Sequence, residues 1–151
     1  MIRRQVRAQL IDEQPHVLWN EFIHILAMSP TEQLTMVQRV AQDAFWYESE
    51  IQNGGHLQYF ENQGANRVED VVSALRKMGA RGQAAILTQA FARYKEEEPR
   101  HKIRTVEDFC DVSLDQAYFD LDQAFAACTP GMTALLQQYL INHEAEFIER
   151  I

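Results

Sequence analysis

The sequence predicts an all-α fold, a single compact domain of about eight or nine helices over residues 1–151, and three observations carry that prediction. Apolar residues recur at helical spacing almost throughout the chain. No six-residue stretch alternates apolar and polar side chains as a half-buried strand would. The interruptions fall on cap and turn residues, such as Ser29-Pro30, Asn53-Gly54-Gly55 and Gly79. With 151 residues, 46% of them apolar, the chain is long enough to bury a core without disulfides or metal.

A first helix is expected from about Ile2, carrying Val6 and Leu10 and stopping before Pro15, because proline excludes the helical conformation from the residue before it. Pro15 suits a first helical position, and a short apolar helix with Leu18, Phe22 and Ile25 follows. Ser29, Pro30 and Glu32 read as a capping box that opens a long helix. Its buried face is Leu34, Val37, Val40, Ala41, Ala44 and Tyr47, with Glu48 beside it, and it runs to Asn53-Gly54-Gly55, where glycine reaches positive φ without steric cost. A short helix from His56 ends at Gly64, and Asn66 with Glu69 caps another that buries Val68, Val71, Val72 and Leu75 and closes at Gly79. A further helix spans about 82–95, followed by a charged loop over 95–104. Thr105 with Asp108, Ser113 with Gln116, and Thr129-Pro130 mark three more helix starts.

Charge is distributed unevenly along these elements. Residues 1–105 hold 13 acidic and 13 basic side chains, whereas 106–151 hold nine acidic and one basic, Arg150, so the net −8 lies entirely in the last 46 residues. Direct nucleic-acid binding through a broad basic face is thereby disfavoured. Gln5, Arg7 and Gln9 interrupt any signal-peptide core, and the most apolar stretch, residues 22–28, is far short of the ~20 residues a membrane span needs. Cys110 and Cys128 have neither zinc nor disulfide-framework spacing and read as small hydrophobes in a reducing cytoplasm.

Glu-x-x-His occurs at Glu13/His16, Glu21/His24 and Glu98/His101, a spacing that holds metal in helical bundles when two helices each supply one. Pro15 and Pro99 break two of the three, so no metal site is predicted. No nucleophile elbow, phosphate loop or dinucleotide fingerprint is present, and neither catalytic residues nor a cofactor is assigned. Asn53-Gly54-Gly55 could form an anion nest, but no Lys or Arg lies between Arg39 and Arg67 to balance a bound phosphate, and a structural turn is the better reading. If residues 110–127 form near-continuous helix, Asp111, Asp115 and Asp122 fall within about 40° of one another at ~100° per residue. They would then stand ~6 and ~10 Å apart along the axis, comparable with the charge spacing of nucleic acid, and with Asp108 would form an acidic ridge. The alternative is a solvated face kept acidic for solubility.

Glu50, Asn53, Gly54, Gly55, Gln58, Tyr59, Phe60 and Asn62 resemble the signature of a bacterial family of unknown function that includes an acidic DNA-mimic protein, in which Glu-x-x-Asn-Gly-Gly-Phe-x-Gln-Tyr-Phe recurs. Ala74-Leu75 to Met78-Gly79-Ala80, Leu114-Asp115 to Tyr118-Phe119, and Tyr139 followed by Asn142 and Phe147 keep the family's order, so the likeness covers about 44–147. His56 replaces the usual Phe. The resemblance implies a protein that engages the basic face of a DNA-binding transcription factor and can form a homodimer. Two rival expectations accompany it: a small-molecule or enzymatic centre over 53–62, with His56 and Glu50 or Glu61 as acid/base groups, and a helical scaffold that only dimerises.

Overall fold

The computed structural model describes residues 1–97, 103–114 and 117–151. Among them are eight α-helices and one two-stranded parallel sheet, in the order β1 (Arg4–Val6), α1 (Ala8–Glu13), α2 (His16–Met28), α3 (Met36–Gln63), α4 (Val68–Met78), α5 (Arg81–Glu97), α6 (Val106–Leu114), α7 (Phe119–Ala126), α8 (Met132–Phe147) and β2 (Ile148–Arg150). The chain is helical, as its periodicity predicts. Helix α3 is the central element and packs against α2, α4, α7 and α8.

The ends of the chain differ from expectation. Residues 4–6 are not helical: Arg4, Gln5 and Val6 pair in register with Ile148, Glu149 and Arg150. Strands of three residues are too short for alternation to show in the sequence. Burial of Val6 and Ile148 and a hydrogen bond from Ile151 N to the Val6 carbonyl at 3.0 Å hold the pairing. Gln38, fully buried, reinforces it by donating from Nε2 to the carbonyls of Ile2 at 2.5 Å and Glu146 at 2.7 Å.

The start of α3 lies later than Ser29-Pro30 suggests. Those residues lead into a single 3-10 turn at Thr31–Gln33, and the capping box is made by Thr35 and Gln38. The Thr35 hydroxyl accepts from Gln38 N at 3.3 Å while Gln38 Oε1 accepts from Thr35 N at 3.1 Å. Both pairs fit the Ser/Thr-x-x-Glu/Gln pattern, and the one nearer the apolar run prevails. The predicted Asn66 cap is also replaced, since Arg67 occupies the position before α4 with no side-chain cap. Gly79 closes α4 with φ +86°. Thr105 and Asp108 cap α6 reciprocally as predicted, at 3.1 Å in each direction. Ser113 lies within α6 rather than opening a helix, and Gln116 is outside the described residues.

The buried face of α3 joins Phe22, Ile25 and Leu26 from α2, Val68 and Leu75 from α4, Leu87 from α5, Leu121 and Phe125 from α7, and Leu136 and Phe147 from α8. Fully burying such side chains stabilises the fold by roughly 1.5–3 kcal/mol each before conformational entropy is counted. Phe22 and Phe147 meet edge to face with centroids 4.8 Å apart, and Phe60 stacks on Tyr94 at 4.5 Å.

Candidate functional site

Helix α3 is interrupted where the Asn-Gly-Gly sequence predicts it. Gly54 has φ −158° and ψ 16°, and Gly55 has φ +73°, so the helix turns and restarts at His56. Space as well as φ requires glycine here. A β-carbon on Gly54 would overlap the Gln58 side chain, and one on Gly55 would overlap the Asp122 carboxylate.

That carboxylate belongs to α7, 66 residues farther along the chain, and it seals the junction. Asp122 Oδ1 accepts from His56 N at 3.0 Å and lies 2.6 Å from His56 Nδ1. A carboxylate here only accepts, so Nδ1 carries the proton and Nε2 is left to accept from the Tyr47 hydroxyl, 2.7 Å away. Tyr47 and His56 are both fully buried. Burial above all, helped by nearby Tyr59 and Asp122, holds the Tyr47 phenol well above its ordinary pKa, so it stays a donor. The junction is thus a structural turn closed by the chain's own carboxylate, which one backbone N–H and one imidazole hold.

One helical turn before the junction, Glu50 gathers the motif's amides. Its Oε2 accepts from Gln58 Nε2 at 2.8 Å and Asn62 Nδ2 at 2.9 Å, and its Oε1 accepts from Gln63 Nε2 at 3.2 Å. The bend folds the second half of α3 back so that residues eight to thirteen positions away reach one carboxylate. Tyr59 and Phe60 pack inward, while Asn53 and Glu61 are exposed. Among the described residues no buried side-chain nitrogen or oxygen lacks a partner. His56 and Glu50, the expected acid/base pair, therefore spend their polar atoms on neighbours.

The acidic segment departs further from expectation. Residues 110–127 are not one helix: α6 ends at Leu114, and Ala117 and Tyr118 form a turn before α7. The alignment of Asp111 with Asp122 requires that continuity, and the two stand on separate helices. Asp122 turns its carboxylate to His56, and Asp108 gives Oδ2 to the backbone N–H groups of Arg104 and Thr105 at 3.0 and 3.1 Å. The Arg104 N–H bond leads in holding the Asp108 carboxyl below its ordinary value. Asp111 is exposed, and Asp115 lies outside the described residues.

Other acidic groups accompany Asp111. Glu107 is exposed on α6, and Asp120 on α7 is exposed although Arg93 grips it at 2.7 and 3.0 Å. Those hydrogen bonds hold the Asp120 carboxyl at about 2. Arg93 was not singled out by the sequence, since nothing in a helical period shows that α5 lies beside α7. The Tyr47 hydroxyl was equally invisible: its position reads only as core. Among the described residues no group of three or more His, Cys, Asp and Glu side chains could hold a metal ion, and no helix is long and apolar enough to cross a membrane.

A family model for DMP19-like protein matches residues 32–143, which include all of α3, the junction and most of α8. The chain belongs to the DMP19-like family. The matched span takes in both halves of the kinked helix and the α7 carboxylate that seals it, so the family segment contains the complete junction. It excludes β1 and β2, the two pieces that close the termini of this DMP19-like chain on one another. No curated protein and no solved structure matches significantly.

Proposed function

We propose that this protein acts by binding, as a DNA mimic whose exposed carboxylates engage the basic face of a DNA-binding protein such as a transcription factor. The observation that carries the reading is the charge partition. Nine acidic side chains against one basic lie in residues 106–151, and Glu107, Asp111 and Asp120 stand exposed on α6 and α7. Membership of the DMP19-like family supports it. The mimicry does not need a straight ridge. Carboxylates on two separate helices can follow a curved basic surface, and a long-range field of one sign speeds encounter whatever the local spacing.

The junction supports binding rather than chemistry. Tyr47, His56 and Asp122 are ordered like an acid/base relay, but the imidazole is fully buried and both ring nitrogens are engaged. The motif is then the device that docks α7 on α3 and so fixes where the acidic helices stand.

Immobilised protein should recover DNA-binding proteins from a lysate of the source organism at low salt and release them to competing duplex DNA or raised salt. The double variant Glu107→Lys/Asp111→Lys should lose most of that recovery. A recovered set without DNA-binding proteins, or one indifferent to duplex DNA, overturns the reading. Light scattering on the same sample tests self-association.

A further inference from the structure

We infer that the cleft between α3 and the start of α4 binds a small oxyanion, a carboxylate or phosphate carried on a planar body, through Arg67 and the Tyr59 hydroxyl. Two cavities flank one ion pair there. The first, about 120 Å³, is walled by Trp46, Tyr59, Gln42 and Gln63, and the second, about 280 Å³, by Arg39, Asp70 and Lys77. Asp43 and Arg67 line both.

The decisive group is Tyr59. It is only 3% exposed, yet its hydroxyl makes no hydrogen bond among the described residues. Because no described buried polar atom is left unpartnered, the phenol oxygen must reach the open space of the cavity it lines. The ring is buried and the oxygen opens on the cavity, so the fold presents a hydroxyl donor to that space where phenylalanine would serve a core role alone. Burial, and then the charge of Asp43, push its pKa up, which keeps it a donor.

The remaining polar groups favour an acceptor as the guest. Gln42 spends Nε2 on the Leu26 and Ser29 carbonyls and Oε1 on Thr31, and Gln63 is held by Glu50. Arg67 puts two of its nitrogens on Asp43, at 3.0 and 3.1 Å, while its side chain stays half exposed. A guanidinium has five N–H donors, so several remain for a guest. Three cations, Arg39, Arg67 and Lys77, face two carboxylates, Asp43 and Asp70, around the second cavity, an excess of one positive charge in a chain of net charge −8, while the first cavity sets Arg67 against Asp43 alone. Both opposing carboxylates are already met by Arg67, which forks Asp43 and holds its Nε 3.8 Å from Asp70 Oδ2. The Trp46 indole and the Tyr59 ring supply flat walls. Of the buried motif residues, Tyr59 alone brings a polar group without a partner among the described residues, and the site lies apart from Asp122 and the acidic helices.

Benzoate and phenyl phosphate, titrated into the full-length protein at low salt, should each give saturable NMR shifts at Asp43, Trp46, Tyr59 and Arg67, whereas benzylamine should give none. Tyr59→Phe should melt within a degree or so of the parent and bind both anions about tenfold more weakly. Lys77→Gln, at an exposed position, should weaken binding about threefold and leave folding untouched. Absence of saturable shifts with both anions, equal binding by Tyr59→Phe, or benzylamine shifting the same residues would overturn the assignment.

Discussion

Glu50 and Asp122 at the α3 junction, and Glu107 and Asp111 on α6, are carboxylates of one acidic chain put to opposite uses. The first pair is surrounded by donors. Three side-chain amides meet Glu50, and a backbone N–H and an imidazole meet Asp122. The second pair faces solvent. The difference teaches that net charge alone does not show where an acidic surface is, because a carboxylate can be consumed inside the fold by whatever donors the topology brings to it. It also sets the order of expected consequences: changes at the junction act on stability, and changes on α6 act on partners.

The largest effect is expected at Gly55. Alanine there must adopt φ near the observed +73° and place its methyl group against the Asp122 carboxylate. Strain and displacement together should cost roughly 2–4 kcal/mol, read as a lower urea midpoint with an unchanged slope. A loss below about 1 kcal/mol would mean that α7 docks loosely and that the junction does not position the acidic helices.

His56→Phe is next, and it tests the site where this chain departs from the signature it resembles. It removes the Nδ1 bond to Asp122 and leaves the buried Tyr47 hydroxyl without its partner. The expected cost is roughly 1–3 kcal/mol. Tyr47→Phe in the same background should recover part of it, and a double-mutant cycle measures the coupling. Additive losses would show that the Tyr47–His56 bond contributes nothing of its own.

These residues also mark how far the sequence could be read. Gly55 and Gly64 were legible because positive φ and helix termination leave a compositional trace, and so was the Thr105–Asp108 cap. Asp122 was visible only as a charge. Its assignment to an acidic ridge failed because the partner that claims it is 66 residues away, and helical periodicity encodes the face of a residue but not which helix lies against that face. The break between α6 and α7 is only half legible: Ser113 with Gln116 reads as a helix start a few residues before α7, but no Gly or Pro marks the spot, and Tyr118, buried at the turn, reads like a continuation of the apolar stripe. Three-residue strands were beyond any period-based reading.

On the exposed side the expectation reverses. Glu107→Lys with Asp111→Lys should leave stability within about 0.5 kcal/mol of the parent. Affinity for any basic partner should fall, and the dependence of the remaining affinity on salt should become shallower, since fewer charge pairs form. If this double variant unfolded as readily as Gly55→Ala, the contrast between sealed and open carboxylates would be lost.

The smallest effect concerns Asp120, which stands between the two classes: exposed, yet gripped by Arg93. Its hydrogen bonds with Arg93 lower its pKa from the ordinary 3.8 to about 2 in the folded chain. Between those values the unfolded chain binds the extra proton, so stability falls with falling pH. The contribution of the pair is therefore fully present above pH 3.8 and is lost as pH drops through about 2. Asp120→Asn should melt slightly below the parent at about pH 5, and the gap should close as pH approaches 2. Because the carboxylate is exposed, added salt should shrink the gap at about pH 5 as well. A gap that persists unchanged at low pH would show that Asp120 acts through packing of α7 on α5. In that case Asp120, like Asp122, would belong with the carboxylates the fold consumes, and the surface left for a basic partner would contract toward α6.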